Sequence, residues 1–198
     1  MSAPSRLVGV AHWVFRNRGW LPTPWVLCAL YLTKPIGILT GVGLALMVLG
    51  QSIRFWSISH MGVAARARDA QVEKLVYTGP YELTRNPLYI ANICMFTGLG
   101  VATGGLTLGI IFLVFFALYF NLIVRFEEDF LERRLGEIYR SYRNRVPRWL
   151  GESAPVHAAS PRVPLNERAR LTVRAERTTI VILVFVTILI IFRAASVG

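Results

Sequence analysis

Residues 79–89 read GPYELTRNPLY, and the apolar run that they open, 88–124, gives way a few residues later to Glu127-Glu128. That run decides the fold. A helix needs roughly 20 apolar residues to cover the hydrocarbon layer, so 88–124 is long enough for two crossings, with Thr103-Gly104-Gly105 as the turn between them. A hydrophobic hairpin is therefore bracketed by two charged, aromatic-rich clusters at one water boundary. Lipid-facing helices have no use for arginine, tyrosine and paired carboxylates there. A site for a polar ligand at the membrane surface does.

Working outward, the rest of the chain is of the same kind. Its hydrophobic fraction is 54% and its mean hydropathy +0.49. Residues 36–58 form a second apolar block, interrupted only by Gln51, Ser52 and Arg54 near its end, and 178–192 form another that is free of charge. The weakest candidate crossing is 20–33, which carries Pro22 and Pro24 and stops at Lys34-Pro35. No strand-like alternation of useful length occurs. The pattern predicts an all-α, polytopic integral membrane helical bundle of about five transmembrane helices, with cytoplasmic amphipathic helices.

Charge orients the bundle. The chain carries 22 basic and 11 acidic residues, a net +11. In this topology only Lys34 and Arg193 fall on the far side. That bias places the N-terminal side in the cytoplasm, predicts a cell inner membrane protein, and sets the arginines against anionic inner-leaflet lipids. The same placement disfavours nucleic acid as the partner. Met1–Arg18 does not read as a signal peptide, because Arg16 and Arg18 follow the first apolar run. Cys28 and Cys94 lie inside predicted crossings and the histidines His12, His60 and His157 are dispersed, so no metal centre is expected.

The organisation expected is a membrane core over 1–150, with its site formed by 79–148, then a linker over 151–177 and a C-terminal transmembrane helix over 178–198. Within the core, 1–19 is an interfacial stretch with Trp13 and Phe15 beside Arg16 and Arg18, and 59–87 is a connector. Residues 125–144 place Phe126, Phe130, Leu131, Leu135, Ile138 and Tyr142 at helical spacing, and Pro147 stops that helix. The C-terminal helix reads as an accessory anchor, or a contact for a homo-oligomer. Charge deep in the crossings, expected of a transporter, is not evident.

The hairpin should bring together Arg85, Asn86 and Tyr89 at its start with Arg125, Glu127 and Glu128 at its end, while Tyr139, Tyr142 and Arg145 fold back beneath it. Carboxylates suit ribose hydroxyls or an amino group, tyrosine rings and an amide suit a purine, and arginines suit a carboxylate or phosphate. A zwitterionic nucleoside or a nucleotide would meet that inventory. Each residue also has a plainer reading: Glu127-Glu128 as a solvated helix start, Arg85 as a snorkelling anchor, and Gly98-Leu99-Gly100 as a thinned helix that admits a neighbouring backbone or a ligand. The last of these is not a dinucleotide fingerprint, since no strand precedes it.

The ordered set G-P-Y-x-x-x-R-N-P-L-Y (79–89), G-L-G (98–100), E-E-x-x-L (127–131) and G-x-x-Y-x-x-Y-x-x-x-V-P-R (136–148) resembles the integral-membrane methyltransferases, among them the isoprenylcysteine carboxyl methyltransferases and phospholipid N-methyltransferases. The resemblance covers about 50–150. It implies S-adenosylmethionine bound on the cytoplasmic side and a lipid or lipid-like acceptor arriving from the bilayer. It also implies that Tyr81, Arg85, Asn86 and Tyr89 line the cofactor pocket, that Gly98 and Gly100 let the cofactor approach, that Glu127 and Glu128 hold its polar groups, and that Tyr139, Tyr142 and Arg145 close the lid. Glu127 or Glu128 would take a proton from an amine, and Arg145 would position an anion. Many relatives have histidine where this chain has Asn86, which can hydrogen-bond but cannot carry protons. Two rival readings remain: an NADPH-dependent, sterol-reductase-like enzyme, and a non-enzymatic scaffold or transporter subunit.

Overall fold

The computed structural model describes residues 20–61, 75–152 and 165–197, with no side-chain detail at 165–168 or 197. The expected interfacial stretch 1–19, the connector segment from Arg66 to Lys74, and residues 153–164 of the expected linker lie outside the described residues. Among the described residues all regular structure is helical: α1 (Thr23–Tyr31), α2 (Ile38–Met61), α3 (Pro80–Leu83), α4 (Pro87–Leu135), α5 (Glu137–Arg145) and α6 (Leu165–Val197).

Among the described residues three helices are long and apolar enough to cross a membrane, namely α2, α4 and the 169–196 part of α6. This is the build of an integral membrane protein. The 49-residue α4 is folded on itself at Gly105, whose φ of 77° and ψ of −164° lie where only glycine sits without strain. Its two arms then run antiparallel. Gly100 meets Leu108 and Gly109 next to the turn, the Phe96 and Phe116 rings stack at 3.9 Å further along, and Tyr89 lies 5.3 Å from Phe120 near the open end. The turn expected at 103–105 is thus where the chain reverses.

Among the described residues five full crossings are not found. α1 has nine residues, about 14 Å of helix, under half the hydrocarbon thickness. Instead of spanning, it wedges Trp25 against Phe112 and Phe115 and buries Ala29 completely. The Lys34 backbone N–H then reaches Thr103 O at 2.9 Å, so the loop after α1 and the hairpin turn share one end of the bundle.

α2 lies along α4 at backbone contact. A Cβ on Gly98 would come within 2.6 Å of Gly43 O, and one on Gly50 within 2.7 Å of Ala91 O. Small residues permit this approach, and dispersion across the seam holds it. α6 covers the other side through Thr172, Glu176, Val186, Ile190 and Ala194, all buried, while Val181, Val184, Phe185, Ile188 and Phe192 face outward.

One expectation is corrected by that packing. Charge does enter the bundle: Arg54 pairs with Glu176 of α6 at 2.8 Å, and Glu176 is 2% exposed. The last part of the expected linker, 164–177, is by sequence a charged approach to the final crossing, yet from Leu165 it is already α6 and turns one carboxylate inward. A lone arginine at that depth would be costly. The carboxylate from α6 offsets it.

Candidate functional site

The base of the hairpin is built by two short straps. Pro80 opens the single turn of α3, and Thr84 then runs extended. Asn86 precedes a proline, which disfavours helical backbone; it sits at φ −129°, ψ 49°, and Pro87 begins α4. On the other side α4 ends at Gly136, whose φ of 55° breaks the amphipathic stretch 125–144 into α4 and α5. After α5 the chain is again extended at Val146 before Pro147.

The two straps are stitched together. Arg85 N–H donates to Pro147 O at 2.9 Å, the Thr84 hydroxyl to Arg148 O at 3.0 Å, and Asn86 Nδ2 to Arg148 O at 3.1 Å. Arg85 Nη1 donates to Arg143 O at 2.8 Å and Val146 O at 3.2 Å. Those carbonyls lie at the end of α5, where backbone acceptors are unmet and a cation is favoured.

Glu128 is the hub. It continues the buried stripe of Phe116, Phe120 and Val124 and is itself 6% exposed. Arg85 grips it with both edges of its fork, Nε to Oε1 at 3.0 Å and Nη2 to Oε2 at 3.2 Å. Arg148 adds Nε and Nη2 to Oε2 at 2.9 and 2.8 Å. Asn86 Nδ2 completes the set on Oε1 at 3.2 Å. Two guanidinium groups thus share one carboxylate, and this group of side chains carries one net positive charge.

Around the hub, Tyr139 and Tyr142 are buried with Val146 against Leu75, Tyr77, Leu131 and Leu135. The Tyr142 hydroxyl donates to Tyr81 O at 2.7 Å and so ties α5 to α3. Burial pushes the phenols of Tyr81, Tyr139 and Tyr142 well above their ordinary value, and they stay protonated.

The structure brings together Arg85, Asn86, Glu128, Tyr139, Tyr142 and the backbone of Tyr81. Glu127 occupies the adjacent helical position, half-buried, with its charge felt at Tyr81. Tyr89 packs its ring into the hairpin. Three residues stand apart. Arg145 is on the exposed face of α5, and Arg148 is the one that meets Glu128. Gly98 and Gly100 have the space of a side chain filled by Gly43, Met47, Leu108 and Gly109, so both serve helix packing. Arg148 was legible as the last residue of V-P-R (146–148), but the spacing gave no reason to prefer it over Arg145.

Residues 38–138 match the profile of the phospholipid methyltransferases. The chain belongs to that family. Its relatives include a nickel-cobalt-cadmium resistance protein, NccN, of Alcaligenes xylosoxydans xylosoxydans, 31% identical over 54% of this chain and 51% of that protein. Another is a cobalt-zinc-cadmium resistance protein, CzcN, of Cupriavidus metallidurans, 32% identical over 52% and 47%. The chain thus spans about half the length of these curated relatives. No solved structure gives a significant match. The matched region of this phospholipid methyltransferase relative holds Arg85, Asn86 and Glu128, whereas Arg148 and all of α6 lie beyond it.

Proposed function

We propose that this protein transfers a methyl group from S-adenosylmethionine to a lipid or other membrane-partitioned acceptor. The observation that carries the reading is the convergence of Arg85, Asn86, Arg148 and Glu128 at the open end of an apolar hairpin, in a chain of this family. On this reading the cofactor would enter from the water side and the acceptor from the bilayer.

The donor set fits the cofactor. The positive charge left over on Arg85 and Arg148 suits the carboxylate of the methionyl part, and Arg is well shaped for it. Asn86 would offer its amide oxygen, its N–H groups being given to Glu128 and Arg148, and Tyr139 and Tyr142 would offer their rings, the Tyr142 hydroxyl being given to Tyr81 O. Glu127 suits ribose hydroxyls or an amino group. Bound there, S-adenosylmethionine supplies a methyl group already activated on a sulfonium. The chain's own work is then alignment and exclusion of water. Glu128 has its oxygens committed to five donors, so on this reading it holds Arg85 and Arg148 in position and leaves proton removal from an amine to Glu127.

The basic residues around the site favour a cytoplasmic orientation, against anionic lipids of an inner membrane. The relatives' names concern resistance to nickel, cobalt, zinc and cadmium. Among the described residues no group of three or more His, Cys, Asp or Glu side chains could hold a metal ion. On this reading a contribution to metal tolerance would run through a methylated membrane component.

The test is binding of labelled S-adenosylmethionine and of NADPH to the purified protein, with label then sought in the organic phase of a membrane incubation. Saturable S-adenosylmethionine binding and labelled lipid are expected. Saturable binding of NADPH alone would favour the reductase reading and end this one.

A further inference from the structure

The charges in the first part of α6 are divided by face. Glu176 turns inward to Arg54 and Gln51 of α2, and Thr172 is buried on the same side. Arg170, Arg174 and Arg177 face outward and are exposed. Steps of four and three residues keep to one side of a helix, and the same steps continue through Val181, Phe185 and Ile188, all exposed. One outward stripe is therefore cationic over two turns and apolar from there on.

The lengths suit a lipid. The charge-free run 178–192 makes about 22 Å of helix, short of the roughly 30 Å hydrocarbon layer, so Arg177 extends its stem toward the head groups. From Arg177 to Ile188 is about 16 Å of helix, close to the depth of one leaflet. The carboxylate at the level of the arginines, Glu176, is spent on Arg54. Among the described residues none pairs with Arg170, Arg174 or Arg177. Like charges three and four residues apart repel each other on a helix, and an anion from outside relieves them.

The geometry points to a binding site for an anionic phospholipid on the outer face of α6, its phosphate held by Arg170, Arg174 and Arg177 and its acyl chains lying along Val181, Phe185 and Ile188. The site is outside the family-matched region 38–138 and does not depend on the methyl transfer proposed above. A zwitterionic lipid carries its own ammonium beside the phosphate and gains less from the stripe. A second copy of the chain, paired through this face about a two-fold axis, would set the same cations against each other. At the same level, on the opposite face, Glu176 ties α6 to α2, so a lipid bound outside stabilises the folded bundle.

The test uses the full chain in phosphatidylcholine nanodiscs, with and without phosphatidylglycerol. Retained lipid is read by native mass spectrometry, and thermal unfolding is followed in parallel. Phosphatidylglycerol is expected to be retained over phosphatidylcholine and to raise the unfolding temperature, less so at high salt. An arginine beside anionic head groups is worth about fivefold in binding. The triple variant Arg170→Gln, Arg174→Gln, Arg177→Gln should then hold phosphatidylglycerol on the order of a hundredfold more weakly. Its unfolding temperature in phosphatidylcholine alone should hold, since only exposed side chains change. The variant Arg125→Gln, Arg134→Gln, Arg145→Gln removes as many exposed cations from α4 and α5 and should leave retention unchanged. Equal losses in the two variants would make the effect one of net charge and overturn the site, as would undiminished retention in the α6 variant. Glycerol phosphate, the soluble head group, should not displace the lipid; displacement would reduce the face to a phosphate site and overturn the lipid. A dimer that dissociates in the α6 variant would give the face to a second copy, and the lipid site would fall.

Discussion

Glu128 shows how completely one buried carboxylate can be engaged by its own chain. Its carboxylate is 6% exposed and receives five hydrogen bonds from Arg85, Arg148 and Asn86. Removing one partner of a buried ion pair strands the other, at about 3–5 kcal/mol. Glu128→Ala should therefore lower the thermal unfolding temperature sharply in detergent, while Glu127→Ala does much less; equal, small effects would contradict the hub. The buried phenols make a second prediction. Tyr81, Tyr139 and Tyr142 titrate above the ordinary value of 10.0 in the folded protein. A raised folded value contributes stability that is complete below the unfolded value and is lost as pH climbs beyond it. Alkaline unfolding followed by tyrosine absorbance should thus show these phenols ionising together with unfolding above about pH 10, and not before it. Sequence patterning made Arg85, Asn86 and Glu128 legible as neighbours, since a hairpin must bring its ends together. It could not reveal that Glu128 would be fully engaged by the protein itself, because hydrogen-bond partners depend on which way the second strap folds back.

At the scale of elements, the hairpin was readable and the two breaks flanking it were not equally so. The Thr103-Gly104-Gly105 run interrupts an apolar stretch too long for one crossing, which is a strong local signal. Gly136 interrupts a stretch whose apolar spacing continues on both sides, so periodicity alone carries a helix through it. The stretch 20–33, the weakest candidate crossing in the sequence, forms the nine-residue α1, wedged through Trp25 against Phe112 and Phe115. The α2–α4 seam gives the sharpest prediction at this scale. A Cβ at Gly98 would fall 2.6 Å from Gly43 O and 2.8 Å from the Met47 backbone N. Gly98→Val must push α2 and α4 apart, whereas Gly37→Val, with nothing within 4 Å, should be tolerated. Unfolding in detergent compares them directly, and similar losses for both would show that the seam does not depend on close approach.

At the scale of the molecule, α6 decides how the bundle closes. A C-terminal anchor that only passes through lipid would present apolar residues all round. Instead α6 places Thr172, Glu176, Val186 and Ile190 on one inward stripe, with Glu176 meeting Arg54 and Gln51 of α2. Its opening segment hid this in the sequence, since one inward glutamate among Arg170, Arg174 and Arg177 looks like part of a solvated approach. The consequence is a thermodynamic coupling between α6 and the family-matched region. Either Arg54→Leu or Glu176→Leu alone leaves a charge buried without its partner, and each should cost about 3–5 kcal/mol. Replacing both removes the unpaired charge, so the double variant should be clearly more stable than the sum of the single losses predicts. Unfolding temperatures for the three variants and the unaltered protein complete the cycle. Additive losses would mean that the two side chains do not meet in the folded protein, and that α6 is the passive anchor its sequence suggests.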